Sequence, residues 1–265
     1  MLVAQISDTH LTLDTPDSEQ RIRDFEAVVA DINALDEAPD AIVHTGDIVH
    51  NGRAEEYALA AAILARARAP VFVIPGNKDD RANLRAAFGG HGYISTDSEF
   101  IDYAIERFEV RLIAVDTLNT QSNKGDFCEA RARRLVRMIG ADPGKPIALF
   151  AHHPPFEVRV GPDPVNFETR EAMERLARAA QHAGRVAAVI SGHVHRGTTG
   201  HVGAIPATVM PAVATPLRKG EYPAHLLARP VYHLHRLDRH GGFSAASRIV
   251  GTPPHGPAGA GAKHR

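Results

Sequence analysis

Short apolar runs that stop at a carboxylate, an amide or an imidazole constrain this chain most. Leu2-Val3-Ala4-Gln5-Ile6 ends in Ser7-Asp8-Thr9-His10. Ala41-Ile42-Val43-His44-Thr45 ends in Gly46-Asp47, and Val71-Phe72-Val73-Ile74 ends in Pro75-Gly76-Asn77. Ile147-Ala148-Leu149-Phe150-Ala151 ends in His152-His153-Pro154-Pro155, and Val186-Ala187-Ala188-Val189-Ile190 ends in Ser191-Gly192-His193-Val194-His195. Runs of this length, apolar on both faces, read as strands buried between layers. In open α/β sheets the C-terminal strand ends are where ligands bind. Residues i and i+2 of a strand point the same way, so Asp8 and His10 are expected to converge on one point, as are His193 and His195.

Helical spacing fills the gaps between these runs. Ile22, Phe25, Val28, Val29 and Ile32 predict an amphipathic helix over 19–35, and the Ala-rich stretch 53–68 predicts a second. A short helix over 80–88 is expected to close at Gly89-Gly90. Helices are also expected over 129–139, with its arginines as a solvated face, and over 169–183. Residues 100–107 and 109–115 read as adjacent strands of a second sheet. After His195 the pattern is all β, over 199–202, 207–213, 231–237 and 243–250. Alternating strands and helices with a β-rich end predict an α/β class: two packed sheets with helices around them. Residues 1–250 are expected to form one domain, with 251–265 a disordered Gly/Pro/Ala tail.

Composition excludes more than it selects. The formal net charge of -1 and the lack of Trp argue against a nucleic-acid polymer as partner. The single cysteine, Cys128, rules out an internal disulfide and fits a reducing compartment. No apolar run is long enough to span a bilayer, and Met1 leads straight into the first strand, so neither a stable membrane anchor nor a signal peptide is expected. The expected location is the cytoplasm.

Seven oxygen and nitrogen donors sit at the five strand ends: Asp8, His10, Asp47, Asn77, His152 (or His153), His193 and His195. No thiolate is among them. The set exceeds one structural zinc and suits two hard or borderline divalent ions such as Mn, Fe, Co or Zn. Two such ions typically lie about 3.5–4 Å apart, so one carboxylate would bridge them, and Asp47 is the candidate.

The ordered motifs Asp8-Thr9-His10, Gly46-Asp47, Gly76-Asn77-Lys78-Asp79, His152 and Gly192-His193-Val194-His195 resemble those of the calcineurin-like metallophosphoesterase superfamily. Ile6-Ser7-Asp8-Thr9-His10, Glu55-Glu56-Tyr57 and His152-His153-Pro154-Pro155 look like the bacterial class III cyclic nucleotide phosphodiesterases and related glycerophosphodiesterases. The resemblance implies a four-layer α/β/β/α sandwich. It implies Asp8, His10, Asp47 and His195 on one metal, and Asp47, Asn77, His152 and His193 on the other, with His153 in support. It also implies hydrolysis of a small phosphodiester (a cyclic nucleotide, a glycerophosphodiester or a phospholipid head group) by metal-activated hydroxide. Phosphomonoester or nuclease chemistry on the same site is the alternative.

One position departs from that pattern: Lys78 stands where the resembling proteins carry His. Asn77, Lys78 and His193 are the residues expected at the reacting phosphate, and Lys78 and His153 the ones expected to hold substrate. A lysine there either keeps a cation beside the phosphate or marks a chain with impaired chemistry. Residues 216–230, with Arg218, Lys219, Tyr222, His225 and Arg229, are expected to contact substrate or to pair two copies in a homo-oligomer.

Overall fold

The computed structural model describes residues 1–95, 98–142, 144–161 and 163–252. Two sheets lie face to face. One has five strands in the order β11-β10-β1-β2-β3 and the other six in the order β4-β5-β6-β7-β9-β8. The first comprises β1 (Leu2–Ile6), β2 (Ala41–His44), β3 (Val71–Val73), β10 (Val231–Leu237) and β11 (Phe243–Ile249). The second comprises β4 (Tyr103–Ile105), β5 (Arg111–Val115), β6 (Ile147–Ala151), β7 (Val186–Ser191), β8 (Thr198–Val202) and β9 (Ile205–Val209). The central strands of the six-stranded sheet are parallel and both its edge strands, β4 and β8, are antiparallel; in the five-stranded sheet β1, β2 and β3 are parallel and β10 and β11 add an antiparallel edge.

Side-chain alternation builds the layers. Along β5 and β6, Leu112, Ala114, Ala148 and Phe150 face the other sheet. Their neighbours Ile113, Val115, Ile147 and Leu149 face outward onto Leu135 and Ile139 of α4 (Glu129–Gly140) and Leu176 of α5 (Arg170–Ala180). On the other side, Phe25, Val28 and Ile32 of α1 (Ser18–Asn33) and Tyr57, Ala60 and Ile63 of α2 (Ala54–Leu64) join the core of the five-stranded sheet. The result is the expected sandwich of helices, sheet, sheet and helices. Each fully buried Leu, Ile, Val or Phe in it contributes about 1.5–3 kcal/mol.

Parallel register aligns the strand ends that matter. Ile6 pairs with His44, His44 with Val73, and Phe150 with Ile190, so the five motif loops leave one rim of the sandwich. The loops are then stitched across the two sheets. Val213 N–H donates to Ser7 O and the buried Gln5 amide to Ser191 O, while Gly192 N–H donates to His152 O at the rim of the six-stranded sheet itself.

Several expectations change in detail. The helix expected to close at Gly89-Gly90 is α3 (Arg81–Phe88); the chain runs on through a tight turn, Gly89–His91, and the left-handed residue that stops it is Gly92, at φ 78°. The strand expected over 207–213 pairs only as far as Val209; Met210 and Val213 then bond to Ser191 and Ser7 at the rim. The arginine face of α4 is not wholly solvated. Arg131 is buried, stacks on Phe100 and donates to the carbonyls of Asp126 and Asp116. In the segment 216–230, Arg218 and Arg229 bind backbone carbonyls of Leu226, Leu227 and Val250, so they hold that lobe together instead of offering free charge. Of the tail expected to be disordered, residues 253–265 lie outside the described residues.

Arg111, at the start of β5, is fully buried. Its guanidinium meets Glu106 with both oxygens, at 2.6 and 2.7 Å, and caps the α4 carbonyls of Met138 and Ile139. Removing one partner of a buried pair typically costs about 3–5 kcal/mol, and the half-exposed Glu106 brings the expectation for Arg111→Leu to about 2–3 kcal/mol. Urea unfolding of the variant checks this; an unchanged midpoint would show that the guanidinium is not holding β5 to α4.

Candidate metal centre

Asp8 and His10 do converge, but not by strand alternation. Both lie beyond β1, and both have left-handed backbones, at φ 54° and 42°. Asp47 (φ 51°), His193 (φ 72°) and His195 (φ 61°) do the same after β2 and β7. Left-handed backbone is uncommon for residues with a Cβ, so each of these turns must be held from outside. The holding bonds are present: Asp8 N–H donates to Gly46 O, His10 N–H to Asp47 O, Leu11 N–H to Ile48 O, and Lys219 N–H to His195 O.

Two groups of donors result. In the first, Asp8, His10, Asp47 and His195 bring ligand atoms within 4.8 Å of one another. His10 Nε2 lies 3.0 Å from His195 Nε2 and 3.4 Å from Asp47 Oδ2, and His195 Nε2 lies 3.3 Å from Asp8 Oδ1. In the second, Asn77 Oδ1 lies 3.1 Å from His152 Nε2 and 2.9 Å from His193 Nδ1. Asp47 Oδ2 is 3.6 Å from His152 Nε2, so one carboxylate oxygen faces both groups. His193 and His195, expected to present two imidazoles to one side, divide between the groups.

His153 belongs near the second group, within 4.8 Å of His152 and His193. Its ring is fully buried; Nδ1 accepts from Thr117 Oγ1 at 2.8 Å and Nε2 donates to Asn123 O at 3.2 Å. Both nitrogens serve the loop after β5. Those contacts place His153 in support of that loop. Lys78 is half-buried and lines a cleft of about 510 Å³ with Asn51, Asn77 and the 118–123 loop. Its N–H donates to Asp47 Oδ1 at 2.7 Å and its ammonium donates to Asn123 Oδ1 at 3.2 Å, so the side chain turns toward the cleft.

Several supporting residues carry no signal in the runs themselves. The Ser7 hydroxyl and the His193 N–H both donate to the Asp8 carboxylate. His44 donates to Thr9 Oγ1, between Asp8 and His10. Asp79 accepts from the N–H groups of Gly76, Ile48 and Val49 and from the Tyr57 hydroxyl, and so ties the Asp47 loop to the Asn77 loop. Its place after Gly76-Asn77-Lys78 in the motif was the available clue.

Glycine matters where these loops approach most closely. A Cβ on Gly192 would run into the Ser7 hydroxyl and come within 2.6 Å of Asp8 Oδ2, and one on Gly76 would overlap Asp47.

The electrostatics suit cations. Burial alone would raise the Asp8 pKa, but the hydrogen bond and charge of His195, with His152 and His10, hold it well below the usual carboxylate range. Burial, reinforced by the charge of Asp8, raises Asp47. Burial pushes His10, His153 and His193 well down, and His44 down to about 3, which keeps these rings neutral. Neutral imidazole is the ligating form. His152 Nδ1–H is committed to Thr45 O and His195 Nδ1–H to Leu217 O, so in each ring Nε2 is the free donor atom. The His10 and His195 Nε2 atoms face each other beside two carboxylates. Donors so arranged fit a divalent cation between them.

Residues 1–197 match the family model described as calcineurin-like phosphoesterase. The chain belongs to this family. Its relatives include a probable glycerophosphodiester phosphodiesterase of Arcobacter nitrofigilis, 30% identical over 259 residues, which cover 95% of this chain and 94% of that protein. A probable cyclic nucleotide phosphodiesterase of Rhodopseudomonas palustris is 34% identical over 139 residues, covering 50% of this chain and 49% of that one. Among solved structures, a purple acid phosphatase from yellow lupin superposes with a TM-score of 0.62 at 12% identity, over 94% of this chain and 51% of that protein, and shares the fold. Calcineurin-like phosphoesterases use a dinuclear metal site, and the Asp/His groups at this rim are where this member has donors for one.

Gly192→Ala tests the geometry of the first group. The new methyl would displace Ser7 and Asp8. Disturbing the support of a ligand typically weakens metal binding by about 10–100-fold. A manganese titration followed by calorimetry should show that loss at one of two sites; two unaltered sites would show that Asp8 is not held as described.

Proposed function

We propose that this phosphoesterase hydrolyses a small phosphodiester at a pair of divalent ions. Asp8, His10, Asp47 and His195 would hold one ion, and Asp47, Asn77, His152 and His193 the other. The observation that carries the reading is Asp47 Oδ2, within 3.4 Å of His10 Nε2 and 3.6 Å of His152 Nε2. When bound, the ions supply Lewis-acid polarisation of the phosphate and a water acidic enough to act as nucleophile near neutral pH.

The chain's own residues do the rest. The Lys78 N–H fixes the Asp47 carboxylate, Asp79 ties the loop that carries Asp47 to the one that carries Asn77, and Thr45 O fixes the His152 ring. Asn77 turns its amide oxygen to the second group. The Lys78 ammonium lines the cleft beside Asn77, where it offsets the negative charge that grows as the ester bond breaks. A lysine ammonium at this point supplies charge and a proton donor without the aromatic ring of a histidine.

The names of the relatives support a diester over a monoester as substrate, with a glycerophosphodiester, a cyclic nucleotide or a phospholipid head group as candidates. Near-balanced charge supports a small substrate over a nucleic-acid polymer. Mn, Fe, Zn and Co all suit the donors, and we rank none first. No helix among the described residues is long and apolar enough to cross a membrane. We infer one domain over 1–250, the reducing cytoplasm as its compartment, on the strength of the single free Cys128, and residues 216–230 as a lobe that contacts substrate or pairs two copies.

Removal of metal with a chelator, restoration with manganese, and assay of bis(p-nitrophenyl) phosphate against p-nitrophenyl phosphate test the reading. Diester turnover should return with metal and exceed monoester turnover. No metal-restored turnover of either would sink the enzyme reading in favour of a scaffold. Asp47→Ala should abolish turnover and reduce bound metal from two ions to at most one by elemental analysis; two ions retained would remove Asp47 from its bridging role. Lys78→His should raise turnover of the diester if the cation faces phosphate, and an unchanged rate would point to a side chain without contact.

A further inference from the structure

We propose that Asn123 is a positioning residue that couples Lys78 to the proposed metal ligand Asn77 and thereby sets how strongly the site depends on leaving-group basicity. This rests on the diesterase reading above. Asn123 lies in the loop between β5 and α4, outside the strand-end motifs, and lines the same cleft as Lys78. Its Oδ1 accepts from the Lys78 ammonium at 3.2 Å and from Asn77 Nδ2 at 3.4 Å. Its backbone oxygen accepts from His153 Nε2.

Each contact has a consequence. An amide that gives its NH2 to Asn123 must present its oxygen on the other side, and Asn77 Oδ1 does lie beside His152 and His193. Flipped, the Asn77 oxygen would oppose the Asn123 oxygen and the NH2 would point at the donors of the second group. A lysine has four rotatable bonds and loses up to about 2 kcal/mol of side-chain freedom when fixed. One acceptor at the cleft edge keeps the ammonium beside the phosphate position instead of in solvent. Among the described residues no carboxylate is paired with the Lys78 ammonium, so its charge is not neutralised and stays available to substrate. His153 anchors the acceptor. It is buried, and Thr117 fixes its other nitrogen.

The chemistry follows from where the charge lies. A cation that offsets charge on the departing oxygen matters more when that oxygen is more basic. Loss of Asn123 should therefore act on poor leaving groups more than on good ones, and only through Lys78. The test uses manganese-loaded enzyme and methyl aryl phosphates whose phenols span the acidity range from p-nitrophenol to phenol. For Asn123→Ala, the loss in kcat/KM should grow about tenfold from the p-nitrophenyl to the phenyl ester, less than the roughly 10²–10³ of removing a direct charge-stabilising group. Lys78→Ala should steepen the dependence at least as much, and adding Asn123→Ala to it should steepen it no further. Asn123→Asp would place a carboxylate against the ammonium and neutralise it, so the dependence should stay steep; a shallow dependence in that variant would overturn the assignment. A uniform loss across the series, or steepening that persists in the Lys78→Ala background, would overturn the assignment while leaving the diesterase reading intact. Absence of metal-restored turnover by the wild-type enzyme would overturn that reading, and this inference with it.

Discussion

The site depends on left-handed backbone at residues that are not glycine. Six such residues occur among the described residues; five are Asp8, His10, Asp47, His193 and His195. Sparsely populated backbone of this kind costs of order 1–3 kcal/mol per residue and persists only where the surroundings over-determine it. Here they do so twice. Backbone hydrogen bonds between loops pin each turn, and glycines at 46, 76 and 192 let the loops approach to distances that a Cβ would forbid. The two sheets supply the rigid base, because the parallel register of β1, β2 and β3 and of β6 and β7 brings the loops out at one height.

That constraint explains why these residues converge although strand alternation is an incomplete reason for it. Alternation holds only inside a strand. Asp8 and His10 sit beyond the last paired residue of β1, where the direction of a side chain is set by φ and ψ and by contacts from elsewhere. The same applies to His193 and His195, which turn to different donor groups although only Val194 separates them. The layered fold was legible from periodicity because burial on two faces leaves a mark on every strand residue. The donors were legible because five loops repeat one grammar of a small residue followed by Asp, Asn or His. What the sequence withheld is the support: His44 within a buried run, Thr117 and Asn123 in a polar loop, Arg131 on an apparently solvated helix. Those residues are defined by which loop lies opposite, and no local pattern encodes that. The support that His153 gives has the same origin, since only the fold reveals that both its ring nitrogens are taken.

Asp79 shows how the polar interior is kept workable. Burial and the nearby charge of Asp47 push its pKa up to about 7, while donors from Gly76, Tyr57, Ile48 and Val49 act in the opposite direction. A group so balanced is a strong tie between two loops, because removing it would leave three backbone N–H groups without partners in a buried place.

The donors themselves make a different kind of demand. Asp8 and Asp47 are buried within reach of each other, and the free Nε2 atoms of His10 and His195 stand 3.0 Å apart beside them. Lone pairs and carboxylates gathered in a low-dielectric interior repel unless positive charge lies among them. The raised pKa of His195 expresses this: burial opposes a charged ring there, and the hydrogen bond and charge of Asp8, with Asp47, override it. A proton on that ring sits on the side where Asp8 and His10 converge, which is the position a cation would take. The groups that resist one another in the folded chain are therefore the source of affinity for divalent ions. Binding there would relieve repulsion that the fold has already imposed, so metal affinity and fold stability are linked through the same strained loops.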